Sequence, residues 1–169
     1  MSEIIIIGAG GHARVVIAEL RACGHRLAGV VDADSSRHGQ DLDGVPILGG
    51  DAVAEARAPS DIVLANAIGN RGVKIGDSAL GVRRAVFARY LGLNYRFASV
   101  ISPAAHISPT AQLGQGCHVF AGAIVQAGAV IGANCIVNTG AQVDHDCVVG
   151  AHSHITPGAV LCGNVNIGE

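Results

Sequence analysis

From Ile101 to the end of the chain the aliphatic positions recur every six residues: Ile101, Ile107, Leu113, Val119, Val125, Ile131, Val137, Val143, Val149, Ile155, Leu161 and Ile167. Four residues after each stands a small side chain, in order Ala105, Ala111, Cys117, Ala123, Ala129, Cys135, Ala141, Cys147, Ser153 and Ala159, until Val165 ends the run. A helix repeats every 3.6 residues and a coiled coil every 3.5, so neither keeps this pattern on one face. One aliphatic and one small residue per hexapeptide is the pattern of a parallel β-helix. Each hexapeptide is expected to supply one short strand and one turn, and three to close a triangular coil of about 18 residues. The aliphatic residues then stack from coil to coil, and the core becomes a column that each coil completes for its neighbours.

Before Ile101 the pattern changes, which divides the chain into residues 1–100 and 101–169. Ile4 to Ile7 is an unbroken apolar run, the pattern of a strand buried on both faces. It enters Gly8-Ala9-Gly10-Gly11-His12-Ala13-Arg14-Val15-Val16, where an amphipathic helix can start and continue to about Ala22. A strand at Leu27 to Val31, ending at Asp32, completes a βαβ unit. Further strands are expected at Val45 to Leu48 and Asp61 to Ala65, with helices near Asp51 to Ala56 and Ser78 to Leu91. Tyr95 to Val100 then leads into the repeats. The fold class is therefore a small parallel α/β sheet, half of a dinucleotide-binding fold, followed by a β-helix.

Composition narrows the function. The formal charge of −2 carries no basic stripe, and no aromatic residues interleave a Lys/Arg patch, which argues against nucleic acid as a partner. The longest apolar run, Ile4 to Ile7, is far short of the ~20 residues of a spanning helix, and it follows Met1-Ser2-Glu3 without a basic leader. No membrane span and a cytoplasmic location are expected. Cys23, Cys117, Cys135, Cys147 and Cys162 form no C-x-x-C pair and are odd in number, so no disulfide framework is expected. Cys117, Cys135 and Cys147 hold the small position of the repeat and are expected in the core.

The chemistry-bearing residues fall in two places. The glycine turn after the first strand puts bare N–H groups at a helix N-terminus, where phosphate binds well. Gly8-x-Gly10-x-x-Ala13 satisfies the dinucleotide fingerprint, with Asp32 at the ribose-binding distance, although the same glycines also serve tight strand-to-helix packing. With only about four strands, the sheet has room for one nucleotide more readily than two, which weighs against nicotinamide hydride transfer. In an open parallel sheet, Gly8 to His12, Asp32 to Asp34 and Ala67 to Asn70 gather at the carboxyl edge, where ligands bind. The second place is Asn138-Thr139-Gly140-Ala141-Gln142-Val143-Asp144-His145-Asp146. An imidazole between carboxylates can be held in one tautomer and act as general base, or be a solvated turn residue. His106, His118, His145, His152 and His154 all fall where the inward positions are already taken, so they are expected at corners or facing outward. His145 and His154 are half a coil apart and meet only across a subunit interface. Nothing in this spacing requires a metal.

These features resemble the sialic acid O-acetyltransferase and nucleotide-sugar N-acetyltransferase family of left-handed β-helix acyltransferases. The resemblance rests on the opening I-I-I-G-A-G-G-H-A-R-V-V, on Val30-Val31-Asp32-Ala33-Asp34, Gly44-Val45-Pro46-Ile47-Leu48-Gly49, Ala67-Ile68-Gly69 and Ile101-Ser102-Pro103-Ala104-Ala105, and most specifically on Val137 to Cys147. It implies a homotrimer that transfers acetyl from acetyl-CoA to the amine of a UDP- or GDP-linked 4-amino-6-deoxy sugar in surface-glycan biosynthesis. In that reading His145 is the general base and Asp146 the carboxylate that orients it, where other members often carry Glu. Asn138 lies near the sugar, and His154 near the acetyl-CoA thioester of the neighbouring subunit. Gly163, one coil above His145, is a candidate oxyanion donor. Gly10, Gly11 and His12 approach the nucleotide phosphates, and Asp32, Asp34 and Gly69 line base and ribose. Acetylation of a sialic acid or other sugar hydroxyl and non-catalytic binding of a nucleotide sugar are the alternative readings. The stretch Asn70 to Asp77 is longer than the loop usual at that point. The chain ends at Asn166-Ile167-Gly168-Glu169, within a hexapeptide, which implies a shortened or fragmentary solenoid with a reduced coenzyme A site.

Overall fold

The computed structural model describes residues 3–69 and 79–168, and the expected long loop at 70–77 lies outside them. The chain forms two compact units, Met1–Ala98 and Ser99–Glu169. In the first, strands β1 (Glu3–Ile7), β2 (Leu27–Val31), β3 (Asp41–Leu42), β4 (Val45–Gly49) and β5 (Ile62–Asn66) make one sheet in the order β3-β4-β2-β1-β5. Helices α1 (Gly11–Ala22), α2 (Asp51–Glu55) and α3 (Ala79–Gly92) connect them. The strands are parallel except β3, which is antiparallel to β4. Because β1 pairs with β2 on one side and β5 on the other, Ile4, Ile5, Ile6 and Ile7 are all buried instead of alternating. Helix α1 buries Ala13, Val16, Ile17 and Leu20, the i, i+3, i+4, i+7 stripe of an amphipathic helix. Each of its larger apolar side chains contributes roughly 1.5–3 kcal/mol by leaving water.

The expected strands and helices of this unit are present with their ends displaced by a residue or so. Strand β3 is an addition to the expectation. It forms because Asp43 and Gly44, with φ of 50° and 78°, make the two-residue left-handed turn that an Asp-Gly pair favours. Asp41 Oδ1 accepts from the Gly44 N–H at 2.6 Å and ties the turn to the strand before it. At the other edge, Leu64 of β5 donates its N–H to Arg96 O (2.9 Å) and accepts from Ala98 N (2.8 Å), so the segment leading to the repeats covers that edge.

The second unit is a parallel β-helix. Its strands are two residues long and form three four-stranded sheets, in which residue i pairs with residue i+18: His106, Ile124, Gln142 and Val160 are successive rungs of one sheet. This register is the 18-residue triangular coil expected from the repeat. The inward column is made by Val119, Val125, Ile131, Val137, Val143, Val149 and Ile155 with Cys117, Ala123, Ala129, Cys135, Ala141 and Cys147, all buried. Cys117, Cys135 and Cys147 do more than fill the small position. Each thiol donates to the carbonyl fifteen residues on, Cys117 to Gly132 O at 3.0 Å, Cys135 to Gly150 O at 3.1 Å and Cys147 to Cys162 O at 3.1 Å. Among the described residues no two cysteines are joined in a disulfide.

The corners explain the remaining residues of the repeat. Gly116, Gly122, Gly128, Asn134, Gly140, Asp146, His152, Gly158 and Asn164, six residues apart, all have φ between 57° and 73°. Glycine is free there, and Asn and Asp bear the conformation at small cost. Gly132 answers a different demand: a Cβ on it would lie 2.5 Å from Ala151 N in the next coil. His118 is fully buried although it points away from the coil interior. Its rung neighbours Val100 and Ile136 are buried on the same outer face, and its ring meets Phe120 edge-on at 5.6 Å.

Candidate functional site

In the first unit a cavity of about 530 Å³ opens at the carboxyl ends of β1, β2 and β5. That volume lies within the ~300–1,000 Å³ of small-ligand sites. Gly8 has φ of 96° and turns the chain out of β1, and Gly10 precedes α1 without a side-chain cap. The first turn of α1 holds no acidic residue, so its N–H groups and dipole are directed at whatever anion enters. Gly69 has to be glycine for a steric reason, since a Cβ there would lie 2.7 Å from His12 Cβ. Among the described residues, Gly10, Gly11, His12, Asp32 and Gly69 line this cavity, as expected from the glycine turn and the strand ends, and no lysine or arginine does.

Asp32 and Asp34 part company. Asp32 Oδ2 accepts the Ala9 N–H at 2.5 Å and Oδ1 accepts the Asp34 N–H at 2.9 Å, so this carboxylate ties the glycine turn to the end of β2. Each of its oxygens keeps a second lone pair for a ligand. Asp34 is not in the cavity wall: its carboxylate caps the helical turn Ser35–Arg37, accepting from the Ser36 N–H (3.0 Å) and hydroxyl (2.6 Å). Sequence reading also missed Asp51, Val82 and Val86, which complete the wall. Val82 stays 58% exposed in the free protein, an apolar surface open for a ligand to cover.

In the second unit His145 Nδ1 lies 2.9 Å from Asp146 Oδ2. A carboxylate only accepts, so the ring proton sits on Nδ1 and the Nε2 lone pair faces outward. Asp146 reaches the ring from a left-handed corner, φ 59°. Neighbouring coils pin the backbone of the pair: Asp146 N–H donates to Ala127 O at 3.0 Å, and Asn164 N–H donates to His145 O at 2.8 Å. Two glycines then fit the side chains from below and above. A Cβ on Gly128 would lie 2.5 Å from Asp146 Oδ1, and one on Gly163 would lie 2.5 Å from His145 Nε2. Gly163 was legible as the residue in register with His145; Gly128 stands in the same relation to Asp146 and was overlooked. The hydrogen bond that His145 donates to Asp146 raises the His145 pKa above its ordinary value, and the charge of Asp144 adds to the rise against an opposing desolvation. Both side chains stay open to solvent, 62% and 66% exposed.

Asn138 and His154 come together on another part of the coil, with Nδ2 of Asn138 2.9 Å from Nε2 of His154. Asn138 Oδ1 is held by the Thr139 N–H at 2.8 Å, so Nδ2 is the donor and His154 carries its own proton on Nδ1. Two residues that sequence reading assigned to different substrates thus form one hydrogen-bonded pair.

Residues 3–75 match the PglD N-terminal domain family. The whole chain superposes on the acetyltransferase domain of PglB from Neisseria gonorrhoeae with a TM-score of 0.87 and 37% identity, covering 100% of this chain and 78% of that one. The chain belongs to the hexapeptide-repeat nucleotide-sugar N-acetyltransferase family. A structure of the same PglB domain in complex with acetyl coenzyme A matches at a TM-score of 0.86 and 37% identity, over 99% of this chain and 76% of that one. PerB from Caulobacter crescentus, in complex with CoA and GDP-perosamine, matches at 0.85 and 36% identity, over 98% of this chain and 74% of that one. The fold of this N-acetyltransferase family, an α/β domain followed by a left-handed β-helix, is the one expected from the repeat and the βαβ unit.

Proposed function

We propose that this chain transfers the acetyl group of acetyl-CoA to the amino group of a UDP- or GDP-linked 4-amino-6-deoxy sugar. The observation that carries the reading is the His145–Asp146 pair, in which the carboxylate fixes the proton on Nδ1 and leaves Nε2 free as a base. The sugar nitrogen attacks the thioester carbonyl carbon, a C–N bond forms, and the oxygen becomes a tetrahedral oxyanion. His145 Nε2 takes the nitrogen's proton. As the oxyanion collapses the C–S bond breaks and coenzyme A leaves as thiolate, which the His145 imidazolium can protonate. The Gly163 backbone, one coil above the ring, supplies the oxyanion donor.

The glycine cradle before α1 binds the nucleotide phosphates through Gly10, Gly11 and His12, while Asp32 and Gly69 border base and ribose. The relatives support this reading, since PerB was crystallised with CoA and GDP-perosamine and the PglB domain with acetyl coenzyme A. In a homotrimer the Asn138–His154 pair of one subunit lies at the cleft carrying His145 of the next, so the sugar and thioester contacts are adjacent, as acyl transfer requires. Among the described residues no helix is long and apolar enough to cross a membrane, and we place the reaction in the cytoplasm with its co-substrate.

The test is mass spectrometry of UDP- and GDP-linked 4-amino-6-deoxy sugars incubated with acetyl-CoA and the chain. One added acetyl on one sugar supports the reading and names the nucleotide. Nucleotide-sugar binding without transfer would instead select a non-catalytic binding role, and an oligomeric mass other than three chains would remove the shared cleft.

The pH profile tests the base. A base works deprotonated, so with its pKa raised, kcat/KM is expected to fall on the acid side at a higher pH than an ordinary histidine would give. In Asp146→Asn the largest cause of the rise is gone, and the acid limb is expected to move to lower pH with a reduced plateau. A limb that stays in place would assign it to the sugar amine and not to His145.

A further inference from the structure

Helix α3 is turned against its own hydrophobicity. Its valines Val82 and Val86 border the cavity, while the buried stripe i, i+4, i+7 is Arg83, Phe87 and Tyr90. Arg83 is only 1% exposed, at a position where leucine would be the ordinary choice and a charge is costly unless its donors are used. Its Nη1 donates to the carbonyl of Asn66 and, at 3.1 Å, to that of Ile68. Asn66, itself 1% exposed, returns a bond from Nδ2 to Arg83 O at 3.1 Å, and its Oδ1 accepts the Ile68 N–H at 3.3 Å. The turn after β5 is therefore clamped from both ends by one arginine and one asparagine.

We infer that Arg83 is a positioning residue for the nucleotide cavity. The turn it clamps supplies Ala67, Ile68 and Gly69 to the cavity wall, and Gly69 in turn abuts His12 at the helix N-terminus. Burying Arg83 also rotates α3 so that Val82 and Val86 face the ligand. The guanidinium is suited to this because its rigid plane fixes the two Nη1 protons in direction, one toward each carbonyl, whereas a lysine ammonium turns freely on a shorter, flexible stem. Arg83 acts through the turn and touches no ligand itself, so its effect falls on nucleotide binding and not on the acyl transfer at His145. The inference rests on the cavity being the nucleotide site.

The experiment titrates GDP and UDP into the full chain and into Arg83→Lys and Arg83→Met by calorimetry. It is paired with amide hydrogen exchange over residues 66–69, steady-state kinetics and melting temperatures. The Kd of the preferred nucleotide is expected to rise about tenfold or more in Arg83→Met, the scale of a lost hydrogen bond to a charged group, and by less in Arg83→Lys. Exchange in the turn is expected to accelerate. KM for the nucleotide sugar should rise with kcat at saturation unchanged, a split that general loss of stability would not produce. Should Arg83→Met not fold, Arg83→Lys carries the test. Wild-type nucleotide affinity and turn protection in a folded Arg83 variant would overturn the inference alone. A wild-type chain that binds neither GDP nor UDP would overturn the nucleotide reading of the cavity and the inference with it.

Discussion

Replacing His145 with alanine is expected to lower kcat for acetyl transfer by about a thousandfold, the middle of the range for removing a positioned general base. The change is confined to chemistry for structural reasons. The side chain is 62% exposed, and the backbone at this corner is held by Asn164 N–H on the His145 carbonyl, a bond that alanine keeps. The melting temperature and the affinity for the nucleotide sugar are therefore expected to match the parent chain. Single-turnover rates measured at saturating substrate, with wild type in parallel, separate these effects. A variant that retains transfer within tenfold of wild type would remove His145 from the mechanism.

Gly163→Val is expected to lower kcat about a hundredfold, although no titratable group is touched. A Cβ at this position would lie 2.5 Å from His145 Nε2, 2.7 Å from Cε1 and 3.1 Å from Cδ2. The ring has to swing away, and it does so at the expense of the Nδ1 bond to Asp146 or of access to Nε2. A displacement of about 1 Å at a reacting group costs on the order of 100-fold. Gly163→Ala, which adds the same Cβ without its branches, is expected to show a smaller loss. Groups that act as a unit are not additive, and valine keeps the backbone N–H assigned to the oxyanion, so His145→Ala combined with Gly163→Val is expected to be no slower than His145→Ala alone. A Gly163→Val enzyme with wild-type kcat would show that the ring is free to work from another position.

Between them these two residues show what kind of information the repeat carries. His145 and Gly163 are one coil apart, and in a solenoid a sequence separation of one coil is a spatial contact. The pairing of i with i+18 thus turned a purely periodic reading into a correct list of neighbours, down to the glycine over the imidazole. Gly128 under Asp146 was equally legible by the same rule and went unused. In the α/β unit, the Ile4 to Ile7 run and the glycine turn were sufficient to place the cavity at the carboxyl edge, because strand burial and helix starts are written locally. Asp34 shows the limit of that reading, since an aspartate two residues beyond a strand end serves equally as a cap or as a ligand. Only the direction of its carboxylate, toward Ser36, decides.

Arg83 and His118 mark where local pattern misleads. In a helix that also carries Val82 and Val86, an arginine reads as solvated, yet the structure buries it and sets its Nη1 between two backbone carbonyls. His118 reads as an outward residue and is outward, but the face on which it stands is buried.

By itself the sequence determined the coil period, the inward column and the βαβ unit, because each follows from spacing along the chain. The tertiary structure alone decided which aspartate ties the glycine turn, which face of α3 meets the cavity, which flanking carboxylate holds the His145 ring, that Asn138 binds His154, and that three cysteines donate to carbonyls in the next coil. Those outcomes depend on where side-chain donors and acceptors meet across elements, and a buried polar group takes whichever partner the packing brings within reach.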